Sequence, residues 1–551
     1  MDQLPVEILN EIFILLHQLQ KIECMKVCSR WEKIINDLCL FHTILITNQN
    51  TFHQVKKKLK QTPSYCLQVE RLVIFIQTAD GDFLSTLPIL LPNLRFYFRL
   101  PKNANSSERI TDDQNYKWSN RLEKFYDTFA PNLYRHVLGS NKYNCLKTLS
   151  IRNCSPPYDA WLENSLKNAP NLTSLILTFS SLKVNHLEQI HTHLPLLESI
   201  RLVYCIVDFT NSPMEIKPAL RVTHAHFDLE NLDDNSMLGL QEYIRRKYVN
   251  LIHLSIEIFA VFYDFFLDGD MGAMDIRMNE VQEMLTSLLH RFGSQLKELN
   301  IDFRNFDPHL LENLGGAAYR LECLTLSSDP LDHAKMETLL NLSPFHHLRS
   351  LHLDSFVNES LICLQQLINL KKLTIDDRKL NIKLNDILDN CSNGLEYLCL
   401  KRCSLSLHLT STIYSLKTIN FNDMSLPKNI DTFISNSCHQ LKCLQLMNCK
   451  YEIPTFCLED LHLVRLEVVD FKEDFSNSYI LVFTKSDDQR RWWRLGPTFH
   501  MYSNDNAFDP YDDPVYPLSL PLAFESLTCQ PYITFNIGSV RHIYTCSISD
   551  L

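Results

Sequence analysis

Residues 296–301 read Leu-Lys-Glu-Leu-Asn-Ile, and their pattern, L-x-x-L-x-L, decides the fold. The pattern recurs along the chain with leucine, isoleucine, valine or phenylalanine at its apolar positions. The middle apolar residue of each copy is Leu149, Leu175, Ile200, Leu254, Leu299, Leu324, Leu351, Leu373, Leu398, Ile419, Leu444 or Leu466. Leu324 follows Leu299 by 25 residues, and the later steps to Leu466 lie between 21 and 27 residues. A regular period of this length indicates an array of stacked repeats.

Each copy is predicted to contain one short strand, because side chains alternate between the two faces of a strand and the last two apolar residues then point inward. Amphipathic stretches such as 184–193 and 281–292 are predicted to be helices that return the chain to the next parallel strand. The polar residues beside each middle leucine would lie along the concave face of a curved solenoid. The candidate target-binding residues are His253, Glu298, Asn300, His352, Lys372, Tyr397, Gln445, Arg465 and Glu467.

Three segments interrupt the repeat pattern. A degenerate copy is expected at Leu220-x-x-Thr223-x-Ala225, and divergent copies are expected upstream at Val69-x-x-Leu72-x-Ile74 and within 91–98. The long step from Leu254 to Leu299 is expected to hold an acidic loop, which lacks the spacing of a calcium-binding loop. The repeats therefore predict the fold of the middle of the chain but not its ends.

The first forty residues predict a separate helical module. Leu4-Pro5-Val6-Glu7-Ile8-Leu9 places a proline at the start of a helix whose apolar residues follow a helical period through Ile12 and Leu16. A second apolar series includes Val27 and Trp31. So short a module cannot bury all of these side chains alone. The module is therefore either a docking surface for a partner or a helical cap on the repeat array.

Two resemblances follow from these residues. The repeats resemble the leucine-rich-repeat family, and endings such as Asn153-Cys154, Cys205, Cys403 and Asn448-Cys449 are similar to its cysteine-containing subtype. The pattern L-P-x-E-I-L…I-F…L…V-C-x-x-W over residues 4–31 resembles the F-box family. F-box proteins with leucine-rich repeats act as substrate receptors of Skp/cullin/F-box ubiquitin ligases.

The F-box resemblance implies specific partners and residues. It implies that a Skp-type adaptor, and through it a cullin scaffold, binds the module, while the repeats bind a target protein that the sequence does not identify. The residues it assigns to the adaptor interface or to its supporting core are Leu4, Pro5, Ile8, Ile12, Phe13, Leu16, Val27 and Trp31.

Beyond Val468 the repeats stop and the sequence favours β structure. Strands are expected over 478–484 and 492–495, and a hairpin is expected around Gly538-Ser539. These strands would form a β-rich cap on the last repeat, which an open array requires. Alternatively, Trp492, Trp493 and Arg494 would contact a target, since these residue types are common at binding hot spots.

Composition excludes several classes of protein. The chain has 551 residues with only 11 glycines, and it contains no glycine-rich nucleotide-binding motif. The net charge of −11 makes nucleic acid an improbable partner. No catalytic triad, zinc motif or cofactor signature is present, so we expect no enzyme activity, no cofactor and no metal. His191 and His226, which lie in His-x-His pairs, are expected to be surface residues rather than metal ligands.

The sequence also indicates the compartment. The 18 cysteines lie mostly among leucines, as reduced thiols do, and the N-terminus has no basic stretch followed by an apolar segment. No stretch is long and apolar enough to span a membrane. We therefore expect a cytoplasmic or nuclear protein that does not bind membranes.

The sequence thus predicts an α/β protein with four parts. They are an F-box at 1–45, divergent repeats with a polar insertion at 46–144, leucine-rich repeats forming a horseshoe at 145–470, and a C-terminal β-rich cap or appendage at 471–551. The expected function is substrate recognition in a ubiquitin ligase that directs targets to degradation. A leucine-rich scaffold without a link to ubiquitin, and an enzyme with an unrecognised site, are the alternatives.

Overall fold

The computed structural model divides the chain into two compact units, Met1–Leu251 with Ile258–Arg277, and Ile252–Glu257 with Met278–Leu551. In the last three strands the backbone alone is described. The described residues are 4–14, 21, 24–39, 41–46, 49–61, 63–74, 87, 90–99, 121–127, 143–152, 166–209, 216–229, 234–257, 271–302, 308–317, 320–327, 333–340, 345, 347–354, 358–378, 380–391, 394–408, 412–451, 455–469, 479–484, 489–494 and 532–546.

The first unit is built on a parallel sheet with one strand per repeat. Neighbouring strands pair in chain order, except that β7 lies beside the second half of β8 and leaves β6 to pair with its first half. The strands are β1 (Thr43–Ile46), β2 (Arg71–Ile74), β3 (Phe96–Arg99), β4 (Lys124–Asp127), β5 (Thr148–Arg152), β6 (Ser174–Thr178), β7 (Ser181–Lys183), β8 (Ser199–Asp208) and β9 (His224–Leu229).

The second unit continues the same construction. Its main sheet is parallel from β10 to β22, and a smaller parallel sheet is formed by β15, β17, β19 and β21. The strands are β10 (His253–Glu257), β11 (Glu298–Asp302), β12 (Cys323–Ser327), β13 (Ser350–Leu353), β14 (Lys372–Asp376), β15 (Asn381–Lys383), β16 (Tyr397–Lys401), β17 (Ser404–Ser406), β18 (Thr418–Asn422), β19 (Ser425–Leu426), β20 (Cys443–Met447), β21 (Lys450–Tyr451), β22 (Thr455–Val469), β23 (Tyr479–Thr484), β24 (Gln489–Arg494) and β25 (Tyr532–Cys546).

Helices connect many of the strands, as parallel pairing requires. A π-helical turn covers Ile35–Cys39 and a 3₁₀ helix covers Asn358–Gln366. The α-helices are α1 (Val6–Ile14), α2 (Ser29–Ile34), α3 (Gln49–Gln61), α4 (Pro63–Cys66), α5 (Val184–His193), α6 (Asp234–Lys247), α7 (Met271–Phe292), α8 (Pro308–Ala317), α9 (His333–Leu340), α10 (Leu384–Asn390) and α11 (Ile430–Ser437). The predicted α/β repeat fold is confirmed.

The repeated leucines form the core. The anchors of one copy, Leu321, Leu324 and Leu326, are almost fully buried, and the strand between them alternates buried and half-buried residues. The other copies repeat this arrangement, with each middle leucine opposite that of the next strand, as in Leu299 and Leu324. Since full burial of a leucine contributes roughly 1.5–3 kcal/mol, stacking supplies stability that a single repeat lacks.

Strand ends share an unusual turn. The residue after the repeat strand has a left-handed backbone at five equivalent positions: Phe179, Tyr204, Arg402, Asp423 and Asn448. This turn directs the chain into the short second strand of several repeats. Non-glycine residues rarely adopt this conformation, so the surrounding repeat structure must hold it in place.

The predicted cysteine endings have a structural role at these turns. The Cys205 thiol donates to the Leu177 carbonyl of the preceding repeat at 3.3 Å, and the Cys449 thiol donates to the Phe421 carbonyl at the same distance. Burial raises the pKa of the Cys449 thiol to about 12. The thiol is therefore a neutral donor that links adjacent repeats.

The structure corrects the register of the degenerate repeat. Ala225 rather than Thr223 pairs with Ile200, and Phe227 pairs with Leu202. Val222 is the first buried anchor, whereas Leu220 is exposed. The small side chain of Ala225 disguised the true middle position. A further repeat strand, β4, went unrecognised in the sequence because Phe125 replaces its middle leucine.

The polar insertions differ from expectation where they are described. Helix α7 begins at Met271, so the end of the predicted acidic loop is helical. The divergent copies at β2 and β3 are confirmed as strands with buried anchors. Residues 153–154 and 258–270, which include Asn153-Cys154 and most of the acidic loop, lie outside the described residues.

The C-terminal segment is β-rich, as predicted. Strands β23 and β24 form an antiparallel hairpin, but the predicted hairpin at Gly538-Ser539 is wrong. Strand β25 runs without a turn through Gly538 and pairs in parallel with β22, whose register shifts between Leu458 and His462. Glycine in a strand often lies at such an irregularity. This pairing covers the edge of the last repeat strand, as a cap would.

Within the described part of the chain, no helix combines the length and apolarity needed to cross a membrane.

Candidate functional site

The N-terminal module has a small core of its own. Leu9, Phe13, Ile34 and Ile35 are buried together, and Trp31 packs against this cluster. The rings of Phe13 and Trp31 meet edge to face with their centroids 5.1 Å apart. Helix α1 and helix α2 are thereby held as a pair, because aromatic contacts of this geometry add to the stability gained from burial.

One side of the module remains apolar and exposed. Ile8 and Ile12 lie one turn apart on α1, and their exposed fractions are 48% and 37%. Val27, which precedes α2, is 63% exposed. Val6 and Leu38 are further exposed apolar residues of the module. Such a group of large apolar side chains on a helical surface indicates a protein-binding face. We call Val6, Ile8, Ile12, Val27 and Leu38 the apolar face.

The predicted adaptor-binding residues therefore fall into two groups. Ile8, Ile12 and Val27 belong to the apolar face, and Pro5 is exposed at the start of α1. Phe13 is buried, and Leu4 and Trp31 are partly buried against the core, so these three support the surface from below. Leu16 lies outside the described residues. The sequence reasoning missed Val6 and Leu38 as members of the face.

The module is attached to the first repeats by several polar contacts. The Gln68 side chain donates to the Asn36 carbonyl at 2.7 Å and accepts a hydrogen bond from the Phe41 backbone at 3.3 Å. The His42 ring lies 3.4 Å from the Glu70 carboxylate. Strand β1 follows directly and pairs with β2. The helical module and the first sheet strands therefore form one continuous structure.

The candidate target-binding residues lie in two columns across the second unit. His253, Glu298, Lys372, Tyr397 and Arg465 occupy the first position of their strands. Asn300, His352, Gln445 and Glu467 occupy the third position. The side chain of Glu467 lies outside the described residues. The predicted alternation thus places these residues on one sheet face, hereafter the strand face.

Neighbouring members of these columns bind one another. His253 Nδ1 lies 2.7 Å from a Glu298 carboxylate oxygen, and the Asn300 amide donates to the Ser255 hydroxyl at 3.0 Å. Lys372 Nζ lies 4.8 Å from the centre of the Tyr397 ring, a cation–π contact. These contacts hold the side chains in place across adjacent strands before any partner binds.

Part of the predicted surface is covered. Thr374 and Cys399, which were expected to point outward, have exposed fractions of 7% and 2%. Their side chains are shorter than those of Lys372 and Tyr397 in the same strands, and the Tyr397 hydroxyl interacts with Cys399. Long neighbours therefore shield short side chains on this part of the strand face.

One polar cluster at the strand ends has the donor types of a metal site. His352, Asp354 and Asp376 bring potential ligand atoms within 4.8 Å of one another. His352 Nε2 already contacts Asp354 at 3.0 Å, and the Arg402 guanidinium binds Asp376 directly. Burial raises the pKa of Asp354, but the stronger hydrogen bond and charge of His352 bring it below the usual value. The cluster neutralises its own charge, so it is a poor fit for a cation.

A column of charged residues precedes the strands and was missed by sequence reasoning. It consists of the residue directly after the first leucine of each copy, and its members are hydrogen-bonded through the backbone from repeat to repeat. In the second unit the members are Lys297, Glu322, Arg349, Lys371, Glu396, Lys417 and Lys442. In the first unit the Arg95 guanidinium lies between Glu70 and Glu123. The repeated charge at one pattern position was the signal that could have revealed this column.

Comparison with known proteins agrees with both parts of the sequence analysis. Residues 1–47 match the family described as F-box-like. No curated protein matches the sequence. The N-terminal module is thus an F-box-like domain, and the predicted resemblance is confirmed for that segment.

Several solved structures are similar to this chain. The complex of TLR13 with ssRNA13 shares 14% identity over 80% of this chain and 71% of that chain, with a TM-score of 0.34. The Rad7 and Elc1 complex of yeast shares 14% identity over 83% and 94%, with a TM-score of 0.33. An internalin, InlF, from Listeria monocytogenes shares 12% identity over 74% and 92%, with a TM-score of 0.27. These scores are too low to support a conclusion about function.

Proposed function

We propose that this chain is the substrate-recognition subunit of a Skp/cullin/F-box-type E3 ubiquitin ligase. The observation that supports the proposal most directly is the apolar face of the F-box-like domain, formed by Val6, Ile8, Ile12, Val27 and Leu38. A Skp-type adaptor would cover this face and connect the chain to a cullin. The core below it, with Phe13 and Trp31, would hold the helices in the orientation that the adaptor binds.

In this proposal the repeats bind a target protein and the chain itself carries out no chemical step. Binding both adaptor and target raises the effective concentration of the target's lysines near the conjugating enzyme. Modified targets would then be degraded by the proteasome. The buried cysteines of the repeats, among them Cys391 and Cys438, suit a reducing compartment, which supports a location in the cytoplasm or the nucleus.

The first test measures binding of the full chain to a purified Skp-type adaptor. We expect the intact chain to bind, and we expect Ile8→Asp, Ile12→Asp or Val27→Asp to weaken binding about tenfold or more. The reason is that each change removes about 1.5–3 kcal/mol of apolar burial and places a charge in the interface. Circular dichroism would show that the variants remain folded, since none of the three residues belongs to the buried core.

The matched control is Ile362→Asp, which places the same charge at an isoleucine that is exposed to a similar degree in the 3₁₀ helix of the second unit. This variant should bind the adaptor as the intact chain does. If the folded intact chain does not bind the adaptor, the ligase proposal is wrong, and a protein-binding scaffold becomes the better description. Equal loss in the control would show that the effect is nonspecific.

A further inference from the structure

The charged column of the second unit is an unbroken line with an excess of positive charge. Each of its seven residues donates a backbone hydrogen bond, and from Glu322 to Lys442 each bond goes to the preceding member at 2.8 Å. Lys297, Arg349, Lys371, Lys417 and Lys442 give five positive charges, and Glu322 and Glu396 give two negative ones, so five minus two leaves +3. The whole chain carries −11. We call these seven residues the basic edge.

The carboxylates of the basic edge do not neutralise it. Glu322 lies between Lys297 at 3.2 Å and Arg349 at 3.8 Å. Glu396 lies between Lys371 at 3.7 Å and Lys417 at 2.9 Å. Each carboxylate is therefore shared by two cations, which leaves one positive charge in excess at each carboxylate.

The excess charge is available to a partner. The side chains of Lys297, Arg349, Lys371 and Lys417 are between 45% and 64% exposed. Arg349 and Lys371 are direct neighbours on adjacent strands, and so are Lys417 and Lys442. Like charges on adjacent strands destabilise a sheet, so an anionic ligand that bridges either pair would relieve repulsion as well as gain attraction.

The opposite ends of the same strands differ in charge. Asp354 and Asp376 lie there, and Asp376 is already bound by Arg402. An acidic ligand on the strand face would therefore be attracted to the strand starts and repelled from the strand ends. This difference fixes which margin of the sheet such a ligand can occupy.

We propose that the basic edge binds an acidic segment of the target protein. The inference rests on the proposed function only in taking the segment's owner to be the target. The order Arg349, Lys371, Glu396, Lys417, Lys442 requires two acidic positions, a non-acidic one opposite Glu396, and two more acidic positions. A peptide can meet that pattern, whereas a uniformly charged phosphate backbone would place a negative charge against Glu396.

The spacing of the strands sets the spacing of the acidic pairs. Adjacent strands are about 4.8 Å apart, so the two cation pairs are separated by three strands, or about 14 Å. An extended peptide advances about 3.3 Å per residue and covers that distance in about four residues. A labelled probe containing Glu-Glu-Gly-Lys-Glu-Glu meets the requirement, and the same peptide with glutamine at each glutamate is its neutral counterpart.

The experiment measures binding of the probe to the full chain by fluorescence anisotropy, without any adaptor. We expect the acidic probe to bind and the neutral peptide to fail. The double substitutions Arg349→Gln with Lys371→Gln, and Lys417→Gln with Lys442→Gln, should each weaken binding about tenfold, since several exposed charge pairs are lost together. Glu396→Gln should strengthen binding of a probe that is acidic throughout. Raised salt should weaken every interaction.

The matched control is Lys383→Gln with Lys450→Gln, which removes the same charge from two exposed lysines of the smaller sheet. It should leave probe binding unchanged. The proposal is overturned if the basic-edge variants bind as the intact chain does, if the control loses as much affinity, or if single-stranded RNA binds the edge more tightly than the peptide. Loss of adaptor binding would leave this assay unaffected, so failure of the ligase proposal and failure of this one are distinguishable.

Discussion

His191 and His226 show how burial changes the behaviour of residues expected at the surface. His191 Nε2 lies 3.0 Å from the Tyr248 hydroxyl, and both histidines are only partly exposed. Burial lowers the pKa of His191 to about 3, with Lys247 as a lesser cause, and burial with nearby Arg201 lowers the pKa of His226 to about 3. The ordinary value is about 6.5. The folded protein therefore keeps both rings neutral.

These two histidines predict a pH-dependent stability. Their folded pKa values lie below the unfolded value, so their stabilising effect is complete above pH 6.5 and is lost as the pH falls toward 3. Between pH 7 and pH 5 each should lower the free energy of unfolding by about 1–2 kcal/mol. Urea unfolding at several pH values measures this. His191→Gln cannot titrate and should reduce the slope. An unchanged slope in that variant would contradict the assignment.

At the scale of single elements, two helical glycines give opposite predictions. A Cβ at Gly239 in α6 would lie 2.5 Å from Phe209 Cβ and 2.9 Å from the Phe209 carbonyl oxygen. Nothing lies within 4 Å of the equivalent position at Gly316 in α8. The scarcity of glycine in this chain makes the first of these a position where the missing side chain is required by packing.

We expect Gly239→Ala to lower the free energy of unfolding by about 1–3 kcal/mol, because the new methyl group forces Phe209 or its backbone to move. Gly316→Ala should raise stability by about 0.5 kcal/mol, because alanine favours the helix more than glycine does. Thermal unfolding of both variants against the intact chain measures the difference. Equal effects of the same sign would show that the close contact with Phe209 does not govern the outcome.

The elements also show what the sequence could reveal. Strands with leucine anchors, such as Leu324 and Leu351, were predictable because burial repeats with a fixed period. The strands centred on Phe125 and Ala225 were missed or misplaced because other residues fill the same position in the core. Gly538 was interpreted as a turn, although tertiary pairing of β25 with β22 keeps the chain extended. Local patterns cannot report such long-range pairing.

The same reasoning explains the candidate sites. Ile8 and Phe13 fall on one helical sequence pattern, but only packing against α2 shows that Phe13 is buried and Ile8 is exposed. The excess positive charge of the basic edge depends on Lys371 and Lys417 sharing Glu396, which are separated by 25 and 21 residues in the sequence. Composition and period place residues in columns, whereas charge sharing requires the structure.

At the scale of the whole molecule, a repeat array should respond locally to damage. Each repeat contacts mainly its neighbours, so the loss of one buried anchor weakens a limited region. Leu175→Ala removes a fully buried side chain from β6 and should cost about 2–5 kcal/mol. Hydrogen exchange should accelerate in β5, β6 and β8 and stay unchanged in β18, β20 and β22. Uniform acceleration would show that the chain unfolds as a single cooperative structure.

The attachment of the helical module to β1 and β2 has a consequence for how a bound target would be modified. Gln68 and Glu70 clamp the module to the first repeats, so this junction is a stiff joint rather than a tether. A stiff joint cannot sweep a captured protein through many positions in search of a reactive amine. In the proposed ligase, that search would fall to loose segments of the target or to the other subunits, and targets with well-placed flexible tails would be modified fastest.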